Sequence, residues 1–362
     1  MTKATKSSVP VALDVMVPAL VQLGRAMAVW GAEGSWPGHS SGMTEAEFGA
    51  VNDAIRRAAG HNGWATEENV RHAFANWARA LEKDALMAWV AAFPELSATR
   101  STGRTVGLVL AGNIPLVGLH DVLCVWLAGH KAMVKVSAQE PELLPVLFGM
   151  LDRFVPGTLD RITFVKGKWG PVDAVIATGS NNTARYFEHY FKEVPRIIRK
   201  SRVSVAVLDG SETPDELGRL GEDVFRYFGL GCRNVAKVLV PEDLDLDRVF
   251  EALYPWSAVA HHAKYANNYE YTRALWLLDG VDFLDNGFIL LKEDEALPSP
   301  MGTLFYERYT DGAQVERFLA EHADAIQCVV GHGYLPFGAS QAPAMGDHAD
   351  GVDTMRFLLD LG

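Results

Sequence analysis

Cysteine is scarce in this chain. Among 362 residues there are three, Cys124, Cys232 and Cys328, too few and too scattered for a disulfide framework or a thiolate zinc site. A reducing compartment, the cytoplasm, is the expected setting. An excess of positive charge is also missing. Lys and Arg number 33 against 45 Asp and Glu, a net charge of −12, which argues against a nucleic acid partner. The longest apolar stretch, 106–127, is broken by Asn113, Pro115, His120 and Asp121, so no membrane span is expected. Near the N-terminus Lys3 and Lys6 precede an apolar run that Asp14 interrupts, which argues against a signal peptide. There is no Gly-x-Gly-x-x-Gly fingerprint, no Gly-x-Ser-x-Gly elbow and no internal repeat. His261 and His262 are adjacent, cannot share a helical face and have no acidic or thiol neighbour, so no metal is expected.

What remains is ordinary globular composition, 49% hydrophobic and 22% charged, in a chain long enough for two α/β domains. Residues 1 to about 100 read as helical. Thr44 and Glu47 have capping-box spacing, with Phe48, Val51, Ile55 and Ala58 on one face. A longer helix is expected from Thr66 towards Pro94, with a buried stripe of Val70, Phe74, Trp77 and Leu81. Beyond Arg104 apolar runs at 105–111, 132–136, 162–165, 173–178, 203–208 and 235–240 alternate with helical patterns. That alternation predicts parallel sheets covered on both faces.

Four segments carry chemistry. Cys232 stands in Phe228-Gly-Leu-Gly-Cys-Arg-Asn234, where glycines let a ligand approach closely and Arg233 can favour the thiolate. Asn113 follows a strand end at Gly112, the edge at which open α/β sheets bind ligands. Its amide can donate to an oxyanion, or it is a turn residue. Lys135, followed by Ser137, ends the strand 132–136. If buried there it needs a partner such as a ribose or phosphate; otherwise it snorkels. Gly179 and Ser180 follow another strand and open a helix, exposing backbone N–H groups to a phosphate. Arg196, Arg199, Lys200 and Arg202 form a basic cluster that can meet cofactor or substrate phosphates, or be a solvated surface. Cys124 and Cys328 lie in apolar runs and read as core residues.

In this order the segments resemble the aldehyde dehydrogenase superfamily, and more closely its acyl-CoA reductase branch, the Lux-type fatty acyl-CoA reductases that supply aldehyde to bacterial bioluminescence. The resemblance runs from about residue 104 to the end, where Pro336-Phe-Gly-Ala-Ser340 is similar to the superfamily's C-terminal Gly-Ser segment. It implies an α/β fold: a Rossmann-type parallel-sheet cofactor domain, a second α/β domain carrying the nucleophilic Cys, and here a helical N-terminus. The expected divisions are 1–207, 208–330 and a segment 331–362 that returns to the cofactor domain. It implies Cys232 as nucleophile, Asn113 in the oxyanion hole, and Lys135, Ser137, Gly179 and Ser180 around the cofactor.

Two departures refine the expectation. The general-base Glu of hydrolysing members is absent from the stretch 205–210, where Asp209 is the nearest carboxylate. This favours exchange with CoA thiol over release of a free acid. The Glu that often follows the ribose Lys by three positions in NAD-selective members is Ala138 here, leaving room for NADPH, with NADH as the alternative. The expected function is NADPH-dependent reduction of a long-chain acyl-CoA to aldehyde and CoA through an acyl-Cys thioester. The alternatives are a CoA-acylating short-chain aldehyde dehydrogenase run oxidatively, or a non-catalytic subunit of an acyl-transfer complex. A homo-oligomer, and a partner protein that supplies the acyl group, are further expectations of the resemblance.

Overall fold

The computed structural model describes residues 12–97 and 103–361; Lys3 and Lys6 lie outside them. The chain forms two compact units, one of residues up to Lys200 together with Ala344–Gly362, the other Ser201–Pro343.

In the first unit four helices, α1 (Leu13–Gly31), α2 (Glu45–His61), α3 (Glu67–Ala80) and α4 (Lys83–Ala91), precede the sheet. Thr44 closes the expected capping box on α2, and Phe48, Val51, Ile55 and Ala58 are its buried face. Thr66 caps α3. The single long helix expected from Thr66 is two, broken at Leu81–Glu82. Gly24 of α1 packs so closely there that a Cβ would stand 2.8 Å from that of Leu81. Helix α1, with 19 residues and a mean hydropathy of 1.3, is long and apolar enough to cross a bilayer, but half of that window is buried within the protein. Met16, Leu20, Leu23, Met27 and Trp30 form its buried face.

The first sheet contains β1 (Thr105–Val109), β2 (Lys131–Lys135), β3 (Ile162–Phe164), β4 (Ala174–Thr178) and β5 (Arg196–Arg199) in the order β3-β2-β1-β4-β5, all parallel. The central strands are nearly continuous apolar runs because both faces are covered. The crossovers carry α5 (Leu119–Leu127), α6 (Leu143–Phe154), α7 (Thr158–Arg161) and α8 (Asn181–Tyr190). Residues 344–361 pack here as well. His120 and His130 bond the carbonyls of Met345 (3.0 Å) and Leu358 (2.8 Å), and the C-terminal helix Thr354–Leu359 packs on α5.

The second unit holds β6 (Val203–Val207), β7 (Val235–Pro241), β8 (Leu284–Asp285), β9 (Leu290–Glu293), β10 (Thr303–Tyr309) and β11 (Ile326–Gly331), ordered β11-β6-β7-β10-β9-β8. Only the β8–β9 pair is antiparallel. Its helices are α9 (Pro214–Phe225), α10 (Asp247–Leu253), α11 (Ala263–Leu278) and α12 (Gly312–Glu321). Val205, Leu239, Leu297, Val315, Phe318 and Ile326 form a core cluster. Strand 203–207, assigned from sequence to the first domain, pairs with β7 and β11 and so belongs to this second sheet.

Candidate active site

Adjacent parallel strands end on the same sheet edge, and this brings most of the expected residues of the first unit together. Lys135 ends β2 and Ser137 follows it, Asn113 lies in the turn after β1, and Gly179 and Ser180 follow β4. The neighbouring strands run in register from Val106 opposite Ala132 and Ala174. Ser180 caps α8, accepting the Thr183 amide at 3.3 Å, so the positive end of that helix faces the same edge. The absent Cβ of Gly112 would sit 2.6 Å from Ser137 Oγ, which explains glycine at the start of the Asn113 turn. Lys135 is exposed, not buried as a partner-seeking lysine would be, so no desolvation penalty demands a partner for it. Its candidacy rests on position alone.

The Asn113 turn is held by side chains that sequence reading did not identify. Asn62, which ends α2, donates its amide to the Gly112 carbonyl at 2.9 Å. Both carboxyl oxygens of Glu140 lie 3.0–3.1 Å from the Leu116 amide, which donates to them. Burial pushes the Glu140 carboxyl up to about 8, and the Leu116 amide only partly opposes it. Leu116 takes a left-handed backbone conformation, φ 59°, unusual for a branched residue.

In the second unit, Cys232 is half-buried in the turn before the amino end of β7. The loop leading to it is strained: Tyr227 (φ 54°), Phe228 (φ 56°) and Gly229 (φ 77°) are consecutive left-handed residues. Such strain persists only where its surroundings over-determine it, and here they do. Buried Asn234 donates to the carbonyls of Asp223, Val224 and Arg226 (2.8–3.3 Å) while its Oδ1 accepts the Gly231 amide at 2.8 Å. Buried Ser204 on β6 donates to the Cys232 carbonyl at 3.1 Å. The flanks of Cys232 are thus fixed from both sides. His262 stacks on Phe228 at 4.3 Å, which brings the polar-aromatic segment 260–269 onto this loop.

One expectation about this region changes, that of Cys328 as a core residue. Arg233 reaches the Ser340 carbonyl (3.4 Å) and influences Cys328. Cys328 is half-buried, not a full core residue, and its Sγ lies 3.0 Å from Ser204 Oγ. Burial pushes its thiol pKa up. The Gly-Ser segment 336–340 is also committed internally, since its Gly338 and Ser340 amides donate to the buried Asp223 carboxylate at 2.6 and 2.9 Å.

Asp209 cannot replace the missing base for Cys232. Parallel β6 and β7 pair Ser204 with Val235 and Val207 with Leu239. Cys232 therefore precedes one edge of the sheet and Asp209 follows the opposite one. Asp209 is also tied down: hydrogen bonds from Ser211 and then from His332 hold its carboxyl at about 2. His332 bridges Asp209 (2.9 Å) and Glu216 (3.2 Å), and Glu216, bonded first by the Thr213 amide, also lies at about 2. Potential ligand atoms of Asp209, Glu212 and His332 lie within 4.8 Å of one another. Glu212 already accepts the Asp209 and Gly210 amides, so the cluster satisfies itself as an ion-pair network.

Its pH dependence follows. The hydrogen bonds to Asp209 and Glu216 raise His332 above its ordinary value, so its contribution is full below about 6.5 and lost as pH rises through the raised value. The carboxylates contribute above their ordinary values near 4 and lose that contribution as pH falls towards 2. An NMR titration of His332 is expected to give a pKa above 6.5. The Asp209→Asn/Glu216→Gln double variant is expected to return it to the ordinary range.

No family model matches the sequence, and no curated protein matches it. Solved structures do. Aldehyde dehydrogenase 21 of Physcomitrella patens, in complex with the reaction product succinate, matches with a TM-score of 0.61 over 96% of this chain and 87% of its own, at 13% identity. P. syringae AldA, an indole-3-acetaldehyde dehydrogenase in complex with NAD+ and IAA, matches at 0.60 over 87% and 71%, also at 13% identity. The fold is that of the aldehyde dehydrogenases. A Mycobacterium tuberculosis aldehyde dehydrogenase complexed with NAD+ matches at 0.53 over 85% and 76%, at 15% identity. The expected fold class, a parallel-sheet unit and a second α/β unit behind a helical N-terminus, is the one observed.

Proposed function

We propose that this chain is an NADPH-dependent acyl-CoA reductase that forms an aldehyde through an acyl thioester on Cys232. The observation that carries the reading is the Cys232 turn. In a fold shared with aldehyde dehydrogenases, the candidate nucleophile sits on a strained loop locked by Ser204 and Asn234, and Asp209, the only carboxylate in the stretch 205–210, follows the opposite sheet edge.

The Cys232 thiolate adds to the thioester carbonyl carbon. The resemblance to the aldehyde dehydrogenases assigns the Asn113 amide as the donor for the resulting oxyanion. The carbon–sulfur bond to CoA breaks, CoA leaves with the proton the Cys232 thiol gave up, and the acyl group stays on Cys232. A thiol suits both halves of this reaction, being a good nucleophile and a good leaving group. Cys232 holds the acyl group until reduction and then departs as thiolate, freeing the aldehyde.

The carboxyl edge of the first sheet fits a nicotinamide dinucleotide. The N-terminus of α8, capped by Ser180, suits a phosphate, and exposed Lys135 and half-buried Ser137 suit a ribose. Bound there, the dinucleotide would supply the hydride. Ala138 is exposed and Glu140 turns inward to Leu116, so neither sets a carboxylate against a 2′-phosphate. This supports NADPH over NADH.

NADPH oxidation with hexanoyl- through hexadecanoyl-CoA tests the reading. Aldehyde formation rising with chain length supports it. Activity confined to the shortest esters points to the CoA-acylating short-chain alternative, and none at any length points to a non-catalytic protein. Asn113→Ala is expected to lower turnover about 10²- to 10³-fold with NADPH affinity little changed, read by steady-state kinetics and fluorescence titration.

A further inference from the structure

The turn that carries Asn113 has an unusual support. It is held at its first residue by one buried polar side chain and at its last by another. Asn62 and Glu140 are 5% and 9% exposed. Each comes from a segment remote in sequence, and each bonds the backbone of the turn rather than its side chains. Asn62 is itself held in place, accepting the Trp64 amide at 3.1 Å. Leu116, whose amide Glu140 accepts, has a fully buried side chain and the left-handed backbone. A left-handed branched residue costs about 1–2 kcal/mol, so the turn needs a restraint at that position.

We propose that Asn62 and Glu140 are positioning residues for Asn113, clamping the turn 112–116 at the Gly112 carbonyl and the Leu116 amide so that the Asn113 amide keeps the orientation its oxyanion role requires. This deepens the reading of Asn113 given above and rests on it. A glutamine amide oxygen could accept the same N–H without an ionisable group, so the clamp depends on the acceptor and not on charge. His61 and Glu142, the other titratable groups lining the same small cavity, pair with each other at 2.7 Å.

The test has two readouts. Hydrogen exchange reports the clamp directly: Glu140→Ala is expected to speed exchange of the 112–116 amides about tenfold or more, the loss of about one buried hydrogen bond. Glu140→Gln is expected to restore protection. In turnover, Glu140→Ala is expected to lose about tenfold with the NADPH Kd unchanged, and Glu140→Gln to recover it. The Asn113→Ala/Glu140→Ala double variant is expected to be no slower than Asn113→Ala alone.

Unchanged exchange in Glu140→Ala overturns the clamp. Multiplying losses in the double variant overturn its action through Asn113. If Glu140→Ala does not fold, Asn62→Ala is put through the same measurements with the same expectations. An Asn113→Ala protein as active as wild type defeats the oxyanion reading and with it any positioning role, while exchange still decides whether the clamp exists.

Discussion

Cys232→Ala is expected to form no acyl adduct and to reduce no acyl-CoA, with activity on the order of 10⁴-fold or more below wild type. Its melting temperature and NADPH affinity should match wild type. The first expectation follows from chemistry, since no other residue can carry the acyl group in the same turn. The second follows from how that turn is built. Ser204 bonds the Cys232 carbonyl, and Asn234 bonds the Gly231 amide and carbonyls upstream. None of these bonds uses the sulfur, so alanine leaves the scaffold standing. Lys135 and Ser180, the residues proposed for the cofactor, belong to the other unit, so cofactor affinity is expected to stay intact. Stopped assays, thermal melts and NADPH titration on one preparation measure all three.

The second large effect concerns stability. Arg199 is 5% exposed and donates to Asp121 (2.6 Å), Thr354 Oγ1 (2.9 Å) and the Ala349 carbonyl (2.9 Å). It joins β5, α5 and the returning C-terminal segment. Arg199→Ala takes the closest cation from the Asp121 carboxylate, also 5% exposed, leaving it His120 at 3.7 Å and the Thr354 hydroxyl at 3.4 Å; breaking one side of a buried pair costs about 3–5 kcal/mol. For a unit of this size that is a drop in melting temperature of roughly 10 °C. Burial is the largest single influence on Asp121 and opposes its ionisation, but the charges and hydrogen bonds of Arg199 and His120 together outweigh it and hold the carboxyl below its ordinary value. The pair therefore stabilises above the ordinary Asp pKa of about 3.9 and weakens as pH falls through the depressed value. The destabilisation by Arg199→Ala should accordingly shrink in strongly acidic buffer. This contact also removes Arg199 from the basic cluster considered for phosphate binding. Lys200 pairs with Glu188 at 2.9 Å, and Arg202 bonds the Ala323 and Ile326 carbonyls, so the cluster is mostly structural.

The strands that carry the candidate site were legible because they are buried on both faces, which writes 105–109 and 174–178 as nearly continuous apolar runs and 235–241 as an apolar run broken by Lys237. The capping box at Thr44 was legible from its spacing, and the helix start at Thr66 from the apolar stripe that follows it. Strand β5 was not, because Arg196-Ile-Ile-Arg199 has only two apolar residues and reads as charge; Arg199 finds Asp121 through a tertiary contact, while Arg196 bonds the nearby Lys192 carbonyl. Asn113, Lys135 and Ser180 stood out because they lie at or just after strand ends. Ser204, Asn234, Asn62 and Glu140 gave no such signal. Their partners lie across the fold or in irregular backbone, and no spacing in sequence announces a side chain that holds a remote carbonyl or amide. Cys328 was read from its apolar neighbours alone, and only the pairing of β11 with β6 places it against Ser204.

Intact-mass analysis after mixing the protein with palmitoyl-CoA, and again after adding NADPH, tests the central claim most directly. The account predicts a single palmitoyl adduct that maps to Cys232 and disappears on NADPH addition as hexadecanal is released. A protein whose mass stays unchanged with palmitoyl-CoA, or whose adduct lies on Cys124 or Cys328, would contradict it.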